Sequence, residues 1–477
     1  MTTTLVNELR ALFGDERCAF APEALIVYEC DGHTLARQAP DAVVFPQTTA
    51  EVQATVRACV RHGVPFLARG AGTGLSGGAV AAHRGVIIET SRMRQIISLD
   101  HEDRVAVVQP GLVNLHLSQA AAPHGLFYAP DPSSQGACTI GGNVAENSGG
   151  PHTLKYGVTT NHVLALTVVL PDGELARLGS RNGDSAGLDL VGLFVGSEGT
   201  FGIATEITVR LLPAVEAVRT FLAVYDGVPA ASESVSAILR AGIVPAALEL
   251  IDNAAIRAVE AHLKVGFPVD AAAVLLIEIE GRADEQTLLA PQLIAICRGC
   301  GAREVREALD ASQRAALWKG RKQALGALGK LAPAYYTHDG VVPRSKLPQA
   351  LEAIAEIGDR HRLRVANVCH AGDGNLHPLL LFDPGDADEV ARVKAAGVEI
   401  LAVCVRLGGA LTGEHGIGLE KQQLMPVAFA PHDLDQFERV RNVFDPSKLC
   451  NPGKLLPRGA HCGELHQTRT LRHGGWL

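Results

Sequence analysis

One glycine-rich stretch decides the fold: Arg69-Gly70-Ala71-Gly72-Thr73-Gly74-Leu75-Ser76-Gly77-Gly78. It follows a strand-like segment, and from Gly72 to Gly77 it spells GxGxxG, the pattern of a nicotinamide-binding βαβ unit. Such a unit needs a crossover of about a dozen residues, usually a helix, between its parallel strands. Only residues 78–84 separate these glycines from the next strand-like segment, 85–90. The sequence therefore predicts strand, loop, strand rather than a nicotinamide site.

The loop between these strands is still suited to an anion. Successive backbone N–H groups in a glycine-rich turn form an anion-binding concavity. Arg69, Thr73 and Ser76 add side-chain donors, so a diphosphate is the expected guest. A glycine-rich surface turn without any ligand is the alternative that this loop alone leaves open.

Three further clusters combine glycine and other small residues with amide or hydroxyl groups. They are Pro130–Ser134, Thr139–Gly150 and Gly196–Ile203. Small side chains allow backbone donors to approach a ring system closely. Together with the first loop, these clusters predict a large, flat, buried cofactor.

A histidine-rich motif lies near the C-terminus. The segment Cys369–His377 contains His370 and His377, and Gly413-Glu414-His415-Gly416 follows about forty residues later. Two imidazoles and a carboxylate can bind a divalent metal, and the third imidazole can act as a base beside it. Scattered histidines in a chain that holds 18 of them can also be surface or core residues. The glycine-framed turns favour the metal site.

Composition indicates a globular protein with more than one domain. The 477 residues exceed what one core usually serves. The net charge of −8 comes without a long basic run, which argues against nucleic acid as the main partner. Dispersed cysteines predict reduced thiols and a cytoplasmic location. We expect no signal peptide, no transmembrane segment and no internal iron–sulfur cluster.

The pattern changes near Pro213. Before it, short strands alternate with glycine turns, and one helix is predicted from Thr48, with Glu51 reaching back in a capping box. After it, strands alternate with helices, one of them over 312–328. We expect an α+β fold in which the second domain has a mainly antiparallel sheet flanked by helices on one face.

The order of these motifs resembles a known family. ARGAGTGLSGG, DPSSQGACTIGGNVAENSGG, GSEGTFGI, CHAGDGNLHP, GEHGIG and NPGKLLP resemble, in this order, the flavin-dependent 2-hydroxy-acid dehydrogenases of the vanillyl-alcohol-oxidase-like superfamily. Within it the chain is most similar to the flavin-carrying subunits of glycolate oxidases and to D-lactate dehydrogenases. The resemblance implies an FAD-binding domain of two α+β subdomains over 1–213, a substrate- and metal-binding domain over 214–457, and a tail over 458–477.

The resemblance also assigns residues. FAD would be held by Arg69 to Gly78 and by Pro130, Asp131, Ser133, Ser134, Ile140, Gly141, Gly142, Asn143, Ser148, Glu198, Gly199, Ile203 and Asn451. A zinc-like divalent metal would be held by His370, His377 and Glu414. His415 would be the base, and Arg321 would grip the substrate carboxylate.

Two departures from the family narrow the substrate. Members that act on hydroxyglutarate carry a basic residue where this chain has Thr337, and a polar residue where it has Leu379. We therefore expect glycolate or D-lactate, oxidised to the 2-oxo acid. D-2-hydroxyglutarate dehydrogenation, a sugar-lactone or cell-wall-precursor flavoenzyme without a metal, and a flavin carrier without activity are the alternatives.

The electron acceptor is left open by the sequence, because oxygen, a quinone or a partner protein would each serve. The resemblance implies companion electron-transfer subunits, through which the protein would reach the membrane peripherally. A homodimer is also left open.

Overall fold

The computed structural model describes residues 2–183 and 187–457, so the predicted tail over 458–477 lies outside the described residues. The chain divides into two compact units. Unit 1 contains residues 2–149, 157–214 and 414–457, and unit 2 contains residues 150–156 and 215–413. The sequence places residues 414–457 in the C-terminal domain, whereas in the structure their contacts assign them to unit 1.

The strands are numbered in chain order. They are β1 (Cys18–Ala19), β2 (Ala42–Val44), β3 (Phe66–Arg69), β4 (Val86–Glu89), β5 (Ile96–Asp100), β6 (Val105–Val108), β7 (Leu126–Phe127), β8 (Val163–Val169), β9 (Leu175–Gly179), β10 (Ile203–Arg210), β11 (Leu212–Pro213), β12 (Ala217–Tyr225), β13 (Ala247–Asp252), β14 (Ala273–Gly281), β15 (Glu304–Glu307), β16 (Ala334–Thr337), β17 (Arg364–His370) and β18 (Pro378–Phe382).

The α-helices are numbered in the same way. They are α1 (Thr3–Phe13), α2 (Pro22–Leu25), α3 (Thr49–Arg61), α4 (Asn114–Ala121), α5 (Ile140–Glu146), α6 (Thr153–Tyr156), α7 (Leu190–Phe194), α8 (Val228–Arg240), α9 (Asn253–Leu263), α10 (Ala283–Gly299), α11 (Ala311–Lys322), α12 (Ala324–Leu328), α13 (Leu347–His361), α14 (Ala387–Arg406), α15 (Met425–Ala428) and α16 (Pro431–Phe444). Short 3-10 turns cover Asp15–Arg17, Ile26–Tyr28, Ala122–His124, Thr159–Asn161, Arg344–Lys346 and Gln422–Leu424.

Unit 1 contains the predicted strand, loop, strand. In its four-stranded sheet, ordered β1-β2-β4-β3, strands β3 and β4 are neighbours and run parallel. Residues 70–85 connect them without a helix. The prediction is confirmed, and it explains why the glycines lie in a loop at the end of β3 and not at the start of a helix.

Helix α3 covers this sheet and begins as predicted. The Thr48 hydroxyl accepts a hydrogen bond from the Glu51 N–H. The Glu51 carboxylate, however, accepts from the Gln47 N–H at 2.7 Å, one residue before the position that a capping box requires. The apolar stripe of α3, which includes Val52 and Val56, is buried in the same core as Leu5 and Leu9 of α1.

A second, five-stranded sheet completes the framework of unit 1. Its order is β5-β6-β10-β8-β9, and every neighbouring pair is antiparallel. Ile207 of β10 and Leu166 of β8 pack with Ile140 and Val144 of α5 in one core. Two α+β substructures in the N-terminal part agree with the expected architecture.

Unit 2 is built on a seven-stranded sheet, ordered β15-β12-β14-β13-β17-β18-β16, whose neighbouring strands are all antiparallel. Leu222 and Val224 of β12 pack on one face with residues of α9 and α12. Tyr225 points to the other face, where its hydroxyl donates to Ser234 of α8 at 2.7 Å. Helices therefore cover both faces, and the expectation of helices on one face is wrong.

A buried glutamate fastens helix α11 to this sheet. Glu278 of β14 is fully buried. It accepts hydrogen bonds from the Thr220 hydroxyl at 2.6 Å, the Trp318 indole at 2.7 Å and both sides of the Arg314 guanidinium at 2.9 and 3.0 Å. Burial raises the pKa of Glu278, but the hydrogen bonds from His152, Arg314 and Thr220 outweigh it and lower the pKa to about 2.

This lowered pKa predicts an acid-dependent stability. A carboxyl group whose folded pKa is about 2 against an ordinary 4.5 stabilises the fold above pH 4.5, and the contribution is lost as the pH falls towards 2. We expect Glu278→Gln to lower the free energy of unfolding by about 3 kcal/mol at neutral pH. Urea unfolding should show a smaller difference at about pH 3. An equal difference at both pH values would contradict this account.

The helix predicted over 312–328 is two helices. Helix α11 ends at Lys322, and α12 starts at Ala324. Among the described residues, we find no helix whose length and continuous hydrophobicity would suit a membrane crossing.

Candidate functional site

The histidine motif of unit 2 forms the tight turn between β17 and β18. His370 is the last residue of β17, and His377 directly precedes β18. The Asn375 N–H donates to the His370 carbonyl at 3.2 Å. Gly374 has φ +83°, and a Cβ there would collide with the Val342 carbonyl, so this position requires glycine. The predicted turn is confirmed, and it brings both histidines to one end of the strand pair.

The two imidazoles are held through the same ring nitrogen. Nδ1 of His370 lies 2.8 and 2.9 Å from the two carboxylate oxygens of Glu249. Nδ1 of His377 lies 3.2 Å from the backbone carbonyl oxygen of His338. Both partners accept hydrogen bonds, so each Nδ1 is assigned the proton and each Nε2 carries the lone pair. The rings are 5.1 Å apart and nearly perpendicular.

Glu414 completes a group that suits a metal. It is bonded directly to Gly413, the last residue of unit 2, and starts the C-terminal segment of unit 1. One ligand atom from each of His370, His377 and Glu414 lies within 4.8 Å of the other two. Among the described residues this is the one such group of three or more potential ligands. Two imidazoles and a carboxylate are a donor set that zinc and similar divalent ions accept.

A buried aspartate fixes the chain just before Glu414. Asp339 is fully buried. Its carboxylate accepts from the Thr412 hydroxyl at 2.5 Å and from the Gly413 N–H at 2.6 Å. These bonds hold the last residues of unit 2 and, through the peptide bond, the start of the Glu414 residue. Sequence reasoning did not select Asp339, although an aspartate between apolar segments is an available signal.

Arg321 lies beside the first histidine. It belongs to the last turn of α11 and is 2% exposed. Its Nε lies 2.5 Å from a Glu249 carboxylate oxygen, and its Nη2 lies 3.3 Å from Nδ1 of His370. Arg321 and His370, two residues chosen from the sequence, are therefore brought together. The contact joins residues 49 positions apart.

Glu249 is the functional candidate that sequence reasoning missed. It lies on β13, is fully buried, and contacts both Arg321 and His370. Burial raises its pKa, but the charge of Arg321 and the hydrogen bond from His370 outweigh burial and hold the pKa below its ordinary value. A single acidic residue inside the apolar strand 246–251 was the signal that could have revealed it.

The glycine-rich loop of unit 1 is partly open and partly buried. Residues 71–75 retain exposed surface, whereas Ser76, Gly77 and Gly78 are buried. The Arg69 side chain donates to the carbonyl oxygens of Cys30 at 2.9 Å and Ala79 at 3.2 Å. It therefore connects the end of the loop to the segment that contains Cys30. The Ser76 hydroxyl is buried and forms no hydrogen bond to the described residues.

Helix α5 lies within the cluster Thr139–Gly150 and is capped by Thr139, whose hydroxyl accepts from the Gly142 N–H. Asn143 is 2% exposed and accepts from the Asn114 amide at 3.0 Å. The same amide donates to the Pro130 carbonyl at 3.0 Å. Asn114 therefore joins two segments that the sequence assigned to the cofactor. The other residues of these two segments that the sequence assigned to the cofactor are near Pro130 or Asn143 in the chain: Asp131, Ser133, Ser134, Ile140, Gly141 and Ser148.

The third cluster is tied to the C-terminal segment of unit 1. The Glu198 carboxylate accepts from the backbone N–H groups of Ile417 and Gly418, each at 2.7 Å. The Asn451 amide donates to the carbonyls of Glu198 at 2.7 Å and Gly78 at 3.1 Å. Asn451 therefore bridges the glycine-rich loop and the Glu198 turn, while Gly199 and Ile203 continue from that turn into β10.

A buried charge cluster supports this part of unit 1. Lys454 is fully buried, and its amine donates to the carbonyls of Gly78 and Val80. Burial lowers the pKa of Lys454 to about 8. Burial and the charges of Glu198 and Asp31 raise the pKa of Glu146 well above its ordinary value. The glycine-rich loop predicted to bind the diphosphate is therefore held at its end by Lys454, a residue that the sequence analysis did not assign.

Comparison with known proteins gives consistent matches over both units. The C-terminal domain of FAD-linked oxidases matches residues 214–455, and an FAD-binding domain matches residues 40–179. The glycolate oxidase subunit GlcD of Escherichia coli strain K12 is 47% identical, over 93% of this chain and 89% of that protein. A D-lactate dehydrogenase of Anaerostipes hadrus is 33% identical, over 94% of each chain.

A solved structure supports the fold. Substrate-bound p-cresol methylhydroxylase superposes with a TM-score of 0.80 and covers 94% of this chain and 96% of that one. The two sequences are only 18% identical. This likeness therefore concerns the arrangement of the backbone and not the substrate.

Proposed function

The chain belongs to the family of FAD-linked oxidases, and on that basis we propose that it oxidises a small D-2-hydroxy acid, glycolate or D-lactate, to the 2-oxo acid. When bound, FAD would supply the redox chemistry as the acceptor of the hydride. The observation that carries the proposal is the group of His370, His377 and Glu414, in which both histidines are buried, with Arg321 beside His370. Relatives named for glycolate and D-lactate support the substrate class.

The chain offers a suitable place for the FAD diphosphate. Residues 71–75 retain exposed surface, and the buried Ser76 hydroxyl is a donor without a described partner. Backbone donors in a glycine-rich loop attract phosphate oxygens. We therefore assign Arg69 to Gly78 to the diphosphate and the other three clusters to the remainder of the cofactor.

Gly74 allows a sharp test of this assignment. A Cβ at Gly74 would meet only the Asp31 carboxylate, at 3.9 Å, so the loop has room for a side chain. We expect Gly74→Asp to fold but to lose most FAD, because its carboxylate repels the diphosphate. Gly74→Asn, whose side chain has the same shape but no charge, is the matched control. It should retain more FAD than Gly74→Asp. Equal FAD content in the two variants, measured by flavin absorbance, would remove this loop from the diphosphate site.

A divalent, zinc-like ion fits the donor set of His370, His377 and Glu414. The two Nδ1 atoms face acceptors, so the Nε2 atoms would be the ligand atoms of the two histidines. When bound there, the ion would act as a Lewis acid on the hydroxyl group of the substrate.

The remaining roles belong to side chains. The Arg321 guanidinium binds the substrate carboxylate and thereby orients the C–H bond at the neighbouring carbon. His415 accepts the hydroxyl proton, because an imidazole titrates near working pH. The ion pair of the buried Arg321 side chain with Glu249 uses Nε, so we assign the Nη1 and Nη2 edge of the guanidinium to the incoming carboxylate.

Two neighbouring residues support a small substrate. Thr337 of β16 and Leu379 of β18 are direct cross-strand partners. Both are buried, and Leu379 belongs to the core on the face covered by α9 and α12. A second substrate carboxylate would need a cation here, and neither residue supplies one.

The substrate assignment is tested by comparing acids of different length. Anaerobic mixing of the FAD-loaded protein with glycolate, D-lactate or D-2-hydroxyglutarate measures flavin reduction by each. We expect the monocarboxylates to react and hydroxyglutarate to react poorly, and Thr337→Lys to improve hydroxyglutarate relative to D-lactate. If the wild-type protein reacted preferentially with D-2-hydroxyglutarate, the result would favour the alternative function of a D-2-hydroxyglutarate dehydrogenase. If the flavin stayed oxidised with every acid, the result would indicate a flavin carrier without activity.

Electron transfer from the reduced flavin requires an acceptor. The Escherichia coli relative is named as a subunit, which supports companion electron-transfer subunits for this chain as well. We propose a cytoplasmic protein that reaches the membrane through such partners. Co-purification from the native host, followed by identification of the bound chains, tests this assignment.

A further inference from the structure

Glu249 and His370 form a pair across two strands that are distant in sequence. They are direct cross-strand partners in the antiparallel pair β13–β17. Side chains of such partners point to the same face of a sheet and lie within contact distance. Here both are buried, with Glu249 at 0% and His370 at 3% exposure. The sheet itself therefore sets the position of the carboxylate against the ring.

The contact decides the tautomer of His370. Both Glu249 oxygens lie within 2.9 Å of Nδ1, and an ionised carboxylate only accepts. The Arg321 guanidinium forms an ion pair with the same carboxylate. The Arg321 nitrogen at 3.3 Å from Nδ1 is also a donor, so it cannot share a hydrogen bond with Nδ1–H. The proton therefore belongs to Nδ1, and Nε2 carries the lone pair.

We propose that Glu249 is a positioning residue that holds His370 in the Nδ1–H tautomer and orientation required for metal binding. The inference rests on the metal site proposed above. A carboxylate behind a metal-binding imidazole fixes the ring and makes it a stronger ligand. His377 receives the equivalent support from a backbone carbonyl, which no side-chain substitution removes. Glu249 is therefore the side chain through which this support can be tested.

If Glu249 only stabilised the fold, its substitution would affect metal binding no more than the substitution of another buried carboxylate. Glu249 is also half of a buried ion pair with Arg321, and any buried ion pair is costly to break. Glu278 provides the matched control, because it is a second buried carboxylate on the same sheet and fastens the same helix α11 through Arg314 and Trp318. Its described hydrogen bonds do not include His370 or His377.

The experiment is a Zn²⁺ titration of metal-depleted, FAD-loaded protein against a chromophoric chelator. We expect Glu249→Gln to raise the Zn²⁺ dissociation constant about 10- to 100-fold with unchanged FAD content. The amide oxygen of the substituted side chain would serve Arg321 and turn the NH₂ group towards His370, which favours the wrong tautomer. We expect Glu278→Gln to leave Zn²⁺ affinity at the wild-type value. Wild-type affinity in Glu249→Gln, or equal weakening in both variants, would overturn the proposal.

A second measurement separates this proposal from the metal site itself. Nitrogen-15 NMR of labelled histidine in the metal-free protein should assign the proton to Nδ1 of His370 in wild type and shift it towards Nε2 in Glu249→Gln. Failure of wild type to bind Zn²⁺ would reject the metal site, whereas an Nε2–H tautomer in wild type would reject the role of Glu249. If Glu249→Gln does not fold, Glu249→Asp takes its place, since its shorter side chain should weaken Zn²⁺ binding in the same direction.

Discussion

Alanine at His370 or His377 is expected to abolish stoichiometric metal binding and to slow flavin reduction by at least about 100-fold. A Lewis acid contributes several kcal/mol to the reaction, and each 1.36 kcal/mol corresponds to about a factor of ten. Both histidines are buried with Nδ1 against an acceptor. Their Nε2 atoms have no substitute once the ring is removed. Metal analysis and stopped-flow reduction measure the two effects separately.

The control for this result is His262→Ala. His262 lies in the last turn of α9, in the same unit, and is exposed. We expect its removal to leave metal content and rate unchanged, and FAD content to stay near the wild-type value in all three variants. If the wild-type protein contains no divalent metal after gentle purification and chelators do not affect it, the three predicted ligands are structural and the mechanism fails.

Arg321→Lys is expected to weaken substrate binding and hydride transfer together by about 3 kcal/mol. This is the upper figure for a hydrogen bond to a charged group. Lysine keeps the positive charge but loses the planar, two-pronged geometry that orients a carboxylate. It also keeps a partner for the buried Glu249 carboxylate, whereas alanine would leave that charge unpaired and destabilise the fold. Lysine is therefore the more informative substitution. Flavin reduction over a range of D-lactate concentrations measures the loss.

Two variants make this result specific. Arg314→Lys changes an arginine of the same helix that contacts Glu278 instead of Glu249, and we expect it to leave substrate affinity unchanged. His415→Ala should slow flavin reduction with a modest change in affinity. Wild-type rate and affinity in Arg321→Lys would show that the carboxylate is bound elsewhere, and Lys319 and Lys322 would become the candidates.

The sequence predicted the features that depend on local pattern. The strand, loop, strand around Gly72 follows from the number of residues between two apolar segments, and the structure confirms it. The turn of Cys369–His377 follows from its glycines and asparagine, and it is also confirmed. Both are short-range properties that neighbouring residues determine.

Features that depend on distant partners were not predictable in this way. Glu249 and His370 are 121 positions apart, and Asp339 and Gly413 are 74 apart. In neither pair does the local sequence around one residue indicate which distant residue it contacts. The pairing of β13 with β17 creates the first contact, and strand order is a tertiary property. The sequence therefore selected His370 and Arg321 as candidate site residues but not Glu249, which contacts both.

The error about the helices of unit 2 has a physical cause. Polar residues alternate with apolar ones when one face of a strand is exposed. The segment Phe221–Tyr225 is apolar at every position and buried throughout, as expected for a strand covered on both faces. This continuous pattern was the available evidence for two helical layers.

The most direct test of the proposed function is anaerobic reduction of the FAD-loaded protein by D-lactate before chelation, after removal of divalent metal, and after Zn²⁺ is restored. We expect the flavin to be reduced rapidly, then slowly, and then rapidly again, with FAD retained throughout. Reduction at one unchanged rate in all three states would contradict metal-assisted oxidation, and a flavin that stays oxidised in all three would contradict 2-hydroxy-acid oxidation itself.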